Sequence, residues 1–272
     1  MKINRSHYTQ YLEEGYFVVP DLLSQEQSSF IKDSILEFTL KKEEKRKIII
    51  YHDRFLRIFD YRFYNNERNF SLEYIKLSLN ILKCTNSNNM IQLKKSFNLG
   101  KLTRIDSYLS DIDSEDLTDW HADQAYGGAT DPGIYFNGIH TNIPTKPINR
   151  LFLYLTDVQA GNSLLYYLPR SHRIGISIRN LINKGVMKYE PFYKLHDALE
   201  IVQKNKNLLI EHNFSSIEDI EYFLYNAPMA IEGKSKFVNN LKAGSMIFFN
   251  DLGYHQGSSP SLSQRLVMRW WY

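Results

Sequence analysis

A change of sequence pattern near residue 100 constrains the fold most strongly. Beyond it the chain carries short runs rich in aromatic and β-branched residues, bounded by Gly, Asn, Asp, Ser or Pro, as is typical of β-strands. These runs are KLTRIDSYL, RLFLYLTDV, SLLYYLP, SMIFFN and RLVMRWWY. Helical and strand patterns do not alternate regularly, which argues against a doubly wound parallel sheet. The pattern predicts a mainly β fold, a β-sandwich or jelly roll with N-terminal helices packed outside it.

The first hundred residues carry mostly helical patterns. YFVVP predicts a short strand that ends at a proline. Ser24 stands three residues before Gln27, which is the spacing of a capping box. Apolar residues then recur at helical spacing, at Ile31, Ile35 and Phe38. A helix is therefore predicted over about 25–41, and SLEYIKLSLNILK predicts another.

The length of 272 residues predicts a single domain that covers 1–272. The longest departure from the strand pattern is 175–235, where stretches such as KLHDALEIVQKN look helical. An insertion of that length in a β-fold is usually functional or mobile. We therefore expect 175–235 to be a long helical insertion that sets substrate specificity or acts as a lid.

Charge and composition narrow the class of protein. A formal net charge of +3 is too small to predict a nucleic-acid partner. The single cysteine, Cys84, excludes an internal disulfide. The N-terminus lacks the apolar stretch of a signal peptide, and no apolar run approaches the ~20 residues that span a bilayer. We expect a cytoplasmic protein without a membrane or nucleic-acid partner.

A candidate metal site begins in the stretch DWHADQAYGG at 119–128. In a strand His121 and Asp123 would share one face, because successive side chains alternate; the pair could also be a surface pair without function. Among the eight histidines, His255 is the best placed third ligand, because it follows the apolar strand SMIFFN after a short turn. Two histidines and one carboxylate form the facial triad of non-haem iron(II) oxygenases, which leaves coordination positions open.

The final strand, RLVMRWWY, carries two arginines on one predicted face. Arg265 and Arg269 alternate with apolar residues that form the opposite face. An inward arginine in an aromatic setting needs an anionic partner, because burying an unpaired charge is costly. Two partners fit equally well: the carboxylate of a bound ligand, held in bidentate fashion, or an internal Asp or Glu.

Three motifs, by their order and spacing, resemble the phytanoyl-CoA dioxygenase family of Fe(II)/2-oxoglutarate-dependent oxygenases. WHAD resembles the Trp-His-x-Asp ligand strand of that family, and LFLYLTDVQAGNSLLYYLPRSHR resembles its strand-turn-strand block ending in Pro-Gly-Ser-His. HQGSSPSLSQR resembles its distal histidine and the arginine that binds 2-oxoglutarate. The N-terminal EEGYFVVPDLLSQEQ is also similar to the family, so the resemblance covers roughly residues 10–30, 100–173 and 243–272.

The resemblance implies a double-stranded β-helix (jelly roll, cupin-like) core and a dioxygenase that uses Fe(II), 2-oxoglutarate and O2 and releases succinate and CO2. It implies three iron ligands, His121, Asp123 and His255. Arg265 would hold the far carboxylate of 2-oxoglutarate, and Arg269 is the reserve for that role or for a substrate anion. Tyr126, further along the ligand strand, is expected to line the substrate pocket.

The presence of Asp123 bears on the reaction, because related halogenases carry a small residue at this position. It favours hydroxylation of an unactivated C–H in a small-molecule metabolite or biosynthetic intermediate, with desaturation, ring closure and epimerisation still open. Arg170 stands where the family has the glycine of Pro-Gly-Ser-His. We expect His172 in this block to be structural, and Trp120 to pack rather than contact a ligand.

Three alternatives use the same residues differently. A zinc-dependent hydrolase could bind Zn(II) and an activated water with the same three ligands, but it gives no role to Arg265. A non-catalytic jelly-roll sugar-binding module with a structural metal would draw on the 19 tyrosines and consume no 2-oxoglutarate. An inactive family member is the third alternative, and the intact triad argues against it.

Overall fold

Antiparallel strands and flanking helices make up the described part of the chain in the computed structural model. The described residues are 3–43, 56–62, 72–85, 88–97, 99, 104–110, 112, 119–124, 149–159, 164–190, 192–233, 240–258 and 261–272. Their strands are β1 (Tyr16–Val19), β2 (Leu56–Arg62), β3 (Arg104–Ser110), β4 (His121–Asp123), β5 (Asn149–Tyr154), β6 (Leu165–Tyr167), β7 (Phe192–Lys194), β8 (Met246–Asn250), β9 (His255–Gly257) and β10 (Arg265–Trp271). Their helices are α1 (Arg5–Glu14), α2 (Gln25–Glu43), α3 (Leu72–Thr85), α4 (Asn88–Ser96), α5 (Ser171–Asn183), α6 (Leu195–Glu211) and α7 (Ile217–Ile231).

The strands form two sheets that face each other. The larger sheet has the order β1-β8-β5-β10-β3-β2, and the smaller has the order β6-β9-β4-β7. Tyr167 of the smaller sheet packs with Phe249 and Val267 of the larger sheet in one buried cluster. Apolar side chains thus fill the space between the sheets, as expected when two sheets bury their inner faces against each other. The predicted jelly-roll core with flanking helices is confirmed.

The N-terminal helices cover the outer face of the larger sheet. Leu266, Met268 and Trp270 of β10 are buried in one cluster with Ile31 and Ile35 of α2. Val267 instead lies in the cluster between the sheets, which confirms the predicted alternation of β10. Arg265 and Arg269 therefore belong to the inner face, two residues to either side of Val267.

The start of α2 forms the predicted capping box. The backbone N–H of Gln27 donates to Ser24 Oγ at 3.2 Å, and the backbone N–H of Ser24 donates to Gln27 Oε1 at 3.0 Å. These bonds satisfy two donors that the first helical turn leaves without a partner. The side chain of Phe38, the third predicted apolar position, lies outside the described residues.

The segment predicted as a helical insertion covers the outer face of the smaller sheet. Helices α5, α6 and α7 bury one cluster against Ala122 of β4 and Tyr193 of β7. The first of these helices begins at Ser171, four residues before the predicted boundary of 175. The segment also contributes β7, which pairs antiparallel with β4. None of the described helices is long and apolar enough to cross a bilayer.

Candidate metal centre

The structure brings His121, Asp123 and His255 together on the inner face of the smaller sheet. Strands β4 and β9 are neighbours, and His121 lies directly opposite His255 in their register. The two imidazole ring centroids are 4.5 Å apart, and His121 Nε2 lies 3.7 Å from Asp123 Oδ1. One potential ligand atom from each of the three residues lies within 4.8 Å of the others. This spacing allows a single ion to contact all three.

Backbone carbonyl groups orient both imidazoles. His121 Nδ1 lies 2.7 Å from the carbonyl oxygen of Asp119, and His255 Nδ1 lies 2.9 Å from that of Gly253. An Nδ1–H that donates to a carbonyl leaves Nε2 as the free acceptor, which is the arrangement of most metal-binding histidines. Burial, together with the neighbouring His121, lowers the pKa of His255 to about 3. His255 is therefore neutral at pH 7, which is the form that can bind a metal.

The two carboxylate oxygens of Asp123 have different surroundings. Oδ2 forms an ion pair with Arg150 Nη2 of β5. Oδ1 is buried and has no hydrogen-bond partner among the described residues. Because a buried polar atom without a partner is costly, Oδ1 marks the position where a ligand is expected. Two imidazole nitrogens and one carboxylate oxygen together suit a divalent transition metal.

Arg150 in turn contacts a second buried carboxylate, because its Nε forms an ion pair with Asp251 Oδ2. Burial acts to raise the pKa of Asp123, but Arg150 and the two imidazoles outweigh it and hold this pKa below its ordinary value. Burial raises the pKa of Asp251 well above its ordinary value, with Arg150 opposing and Asp123 adding to the rise. Arg150 therefore acts mainly as the counter-charge of Asp123.

Sequence reasoning missed Arg150 and Asp251, although both carry a signal. Arg150, Phe152 and Tyr154 occupy alternate positions of RLFLYL. In a strand they therefore share one face. Asp251 directly follows the buried strand SMIFFN and stands four residues before His255. Neither signal names the partner, because the contacts join strands that are far apart in sequence.

The two predicted anion-binding arginines occupy different surroundings. Arg265 is buried, and its Nη2 donates to Ser110 Oγ at 3.1 Å. It lies beside Gly257, where an added Cβ would be 3.9 Å from Arg265 Nη1. Burial lowers the pKa of Arg265, yet an arginine stays charged at pH 7. Arg269 is half-buried and lies over the ring of Phe152 at 5.5 Å, and its charge helps to lower the pKa of Asp123.

The inserted strand β7 places an aromatic side chain beside the ligands. Phe192 lies opposite Asp123 in the antiparallel register, so both side chains point to the same face. Its ring meets His121 edge-on, with the centroids 6.0 Å apart, and the residue is 46% exposed. A large aromatic with that much exposed surface next to a metal ligand can contact a substrate. Sequence reasoning missed this residue because three residues of β7 are too few to show a period.

The residues that flank the candidate ligands point away from them, as predicted for Trp120. Trp120 packs in the cluster beneath α5 to α7. Arg179 of α5 donates from Nε to Gln124 Oε1 at 3.1 Å and from Nη2 to the Gln124 carbonyl at 3.0 Å. Gln124 Nε2 donates to the carbonyl of Gly175 at 3.1 Å. Helix α5 therefore holds the end of the ligand strand. Tyr126, predicted to line the pocket, lies outside the described residues.

The block that resembles Pro-Gly-Ser-His lies at the start of α5. Arg170, at the position of the family glycine, adopts a left-handed conformation with φ of 62°. Its Nη2 forms ion pairs of 2.8 Å with both Glu218 and Asp219 of α7. His172 is buried against Gly15, where an added Cβ would be 2.4 Å from His172 Nδ1. The close approach of His172 to Gly15 indicates a packing role for this histidine.

Comparison with solved structures shows the fold. No family model matches the chain, and no curated protein matches it. SnoK, a non-heme alpha ketoglutarate dependent carbocyclase from nogalamycin biosynthesis, is 14% identical with a TM-score of 0.57, over 99% of this chain and 83% of SnoK. HygX from Streptomyces hygroscopicus, with nickel and 2-oxoglutarate bound, is 11% identical with a TM-score of 0.52, over 99% and 86%.

A third structure extends the same likeness. The epimerase SnoN, in complex with Fe3+, alpha ketoglutarate and nogalamycin RO, is 11% identical with a TM-score of 0.55, over 98% of this chain and 81% of SnoN. The chain has the fold of non-haem iron, 2-oxoglutarate-dependent enzymes, because nearly its whole length aligns with each of them. Identities this low show the fold alone.

Proposed function

We propose that the protein is an Fe(II)- and 2-oxoglutarate-dependent oxygenase of the phytanoyl-CoA dioxygenase type, acting in the cytoplasm on a small-molecule metabolite or biosynthetic intermediate. The observation that carries the proposal is the convergence of His121, Asp123 and His255, with Asp123 Oδ1 buried and without a partner among the described residues. The fold supports it, because solved structures of this fold hold nickel or Fe3+ together with 2-oxoglutarate.

The three residues would hold Fe(II) through His121 Nε2, His255 Nε2 and Asp123 Oδ1. With 2-oxoglutarate and O2, iron at such a centre supplies an oxidation that releases succinate and CO2. The protein's own part is to present three ligands on one side of the ion and to keep the other positions accessible. The hydrogen bonds from Nδ1 to backbone carbonyls keep both rings in the required tautomer.

Arg265 is the residue that we propose to hold the far carboxylate of 2-oxoglutarate. It lies beside Gly257, which is two residues beyond the ligand His255 and therefore on the same face of β9. Gly257 has no side chain to separate the arginine from the interior. Arg269, whose charge helps to lower the pKa of Asp123, is the second candidate for this carboxylate or for a substrate anion.

Hydroxylation is the proposed reaction, because a carboxylate ligand is present at residue 123. The fold also supports other outcomes, since SnoK is a carbocyclase and SnoN an epimerase. We propose that Phe192 forms one wall of the substrate site and brings an apolar part of the substrate next to His121. The insertion 175–235 would then set specificity through β7, which it adds to the edge of the ligand strand.

An anaerobic titration tests this function. Apo-protein is mixed with Fe(II) and then with 2-oxoglutarate, and the weak visible charge-transfer band of the chelated complex is measured. We expect the band in wild type and in Asp157→Asn, an exposed control, and a weakened or shifted band in Asp123→Ala. Absence of the band in wild type, with zinc retained in metal analysis, would refute the oxygenase and favour a zinc hydrolase.

A further inference from the structure

A short turn between β8 and β9 supports two of the three metal ligands at once. The turn runs from Asn250 to Gly253, and the carbonyl of Gly253 accepts a hydrogen bond from His255 Nδ1. The carbonyl of Asp251 accepts a bond of 2.9 Å from the backbone N–H of Asp123. The side chain of Asp251 contacts Arg150, which in turn contacts Asp123. Both the main chain and the side chain of Asp251 therefore act on the carboxylate ligand.

Arg150 gives the two carboxylate oxygens of Asp123 different roles. It occupies Oδ2, and Oδ1 is left facing His121 Nε2 at 3.7 Å. A carboxylate can bind a metal through one oxygen or through both. With Oδ2 held by a guanidinium, Asp123 has one oxygen to offer, and the triad uses three coordination positions rather than four. The other positions stay available to co-substrate and oxidant.

We propose that Arg150, anchored by Asp251, is a positioning residue that fixes Asp123 as a ligand through one oxygen. This inference rests on the proposed function, since it concerns the metal centre of that oxygenase. Arg150 touches neither metal nor substrate in this role; it acts through Asp123. The side chains of Arg150, Asp251 and Asp123 are all buried, so no solvent molecule can easily replace the guanidinium.

Replacing Arg150 has two opposite effects on metal affinity. Loss of its positive charge strengthens the binding of a cation, whereas a displaced Asp123 carboxylate weakens it. Arg150→Met alone removes a positive charge, which by electrostatics strengthens the binding of a cation. The double variant Arg150→Met/Asp251→Asn removes in addition at most one negative charge. Its site is therefore as negative as in wild type, or more so. Loss of Arg150 also raises the pKa of Asp123, so the affinities are compared at a series of pH values, up to one at which Asp123 is ionised in both proteins. A metal affinity that stays weaker in the double variant at the highest pH reports lost positioning, because charge alone predicts equal or stronger binding there.

The experiment measures Co(II) affinity by calorimetry for wild type, the double variant, Arg150→Lys and a control pair. The control, Lys242→Met/Asp157→Asn, removes an exposed ion pair of 2.8 Å. We expect the double variant to bind Co(II) about 10- to 100-fold more weakly, as is usual when a partner of a metal ligand is lost. Arg150→Lys, which keeps the positive charge and Asp251, should lose less Co(II) affinity than the double variant. The control pair should bind Co(II) as wild type does. Thermal unfolding of each apo-protein verifies that the variants are folded.

Amide exchange gives a readout that needs no metal. In the apo-protein the Asp123 amide, bonded to the carbonyl of Asp251, should exchange faster in the double variant than in wild type, while amides of α6 should be unchanged. Affinity equal to or above wild type, with unchanged exchange at Asp123, would overturn the positioning role and leave the oxygenase proposal intact. A wild type that binds neither Co(II) nor 2-oxoglutarate would refute the oxygenase, and the exchange result would still decide the role of Arg150.

Discussion

The two sheets divide the proposed site into a half with the three candidate metal ligands and a half with three arginines. Each strand of the smaller sheet has three residues, and two of these strands carry His121, Asp123 and His255. The central strands of the larger sheet have five to seven residues and carry Arg150, Arg265 and Arg269. Ligands that need exact placement thus lie on the shorter strands, and the charges lie on the longer ones.

This difference shows that short strands need support from outside the sheet. Three residues make few ladder hydrogen bonds, so backbone pairing alone holds β4 and β9 loosely. Carbonyl groups hold the two imidazoles, and Arg150 reaches across from the larger sheet to hold Asp123. Helix α5 holds the residue after Asp123.

Replacing Arg265 with methionine should break the division most clearly. Truncating one partner of a buried charge pair costs about 2–5 kcal/mol, so 2-oxoglutarate should bind roughly 30- to 5,000-fold more weakly. Metal affinity should be unchanged, because Arg150 and Arg269, and not Arg265, are the arginines that act on the pKa of Asp123. Titration of the charge-transfer band with 2-oxoglutarate measures the first quantity and Co(II) calorimetry the second. If Arg269→Met abolishes 2-oxoglutarate binding while Arg265→Met does not, the roles of the two arginines are reversed.

His172 of α5, on the smaller sheet, is buried against Gly15, which follows α1 on the larger sheet. The protonation of His172 therefore affects a contact between the helices of the two sheets. Burial lowers its pKa to about 4, whereas an unfolded histidine titrates near 6.5. The unfolded state takes up the proton more readily than the folded state. The free energy of unfolding is therefore undiminished by His172 above pH ~6.5, and it decreases as the pH falls from there through about 4. The difference corresponds to about 3 kcal/mol.

The variant His172→Gln should therefore flatten the fall of apo-protein stability between pH 6.5 and 4. Denaturant unfolding at several pH values measures this slope. His196→Gln is the matched control, because His196 is an exposed histidine of α6. An unchanged slope in His172→Gln, or an equal change in the control, would contradict the assignment.

A substitution at Gly175 should disturb the smaller sheet alone. A Cβ at this position of α5 would lie 1.9 Å from the carbonyl oxygen of Leu252, in the turn that supports Asp123 and His255. Forced overpacking typically costs about 1–3 kcal/mol. We expect Gly175→Ala to lower the melting temperature and to weaken Co(II) binding. Asn183→Ala, at an exposed position of the same helix, should do neither; equal effects would contradict this contact.

The smallest effect is expected at Arg170, which has a left-handed backbone and two acidic partners. Both Arg170→Ala and Arg170→Gly lose the ion pairs to α7. Glycine alone relieves the left-handed conformation, which costs other residues about 1 kcal/mol. We therefore expect the glycine variant to be more stable than the alanine variant by about that amount, measured by thermal unfolding. Equal stabilities would mean that the conformation is not strained.

Local patterns in the sequence predicted much of the fold. The capping box at Ser24 and Gln27 and the alternating faces of β10 were confirmed, because each depends on neighbours in the chain and on the period of its own element. The sequence pattern predicts the insertion from about 175, and the helix that opens it begins at Ser171, inside the block that resembles Pro-Gly-Ser-His.

The sequence by itself predicted which residues could serve as metal ligands and how they are spaced, because His121 and Asp123 must share a face in any strand. Only the tertiary structure decided what surrounds them. Asp123 lies on β4, Arg150 on β5 and Asp251 in the turn after β8. The contacts of Arg150 with the two carboxylates therefore join segments of both sheets. Phe192 reaches the ligands only because β7 pairs with β4. Such contacts follow from the packing of distant segments, and no local period or spacing encodes them.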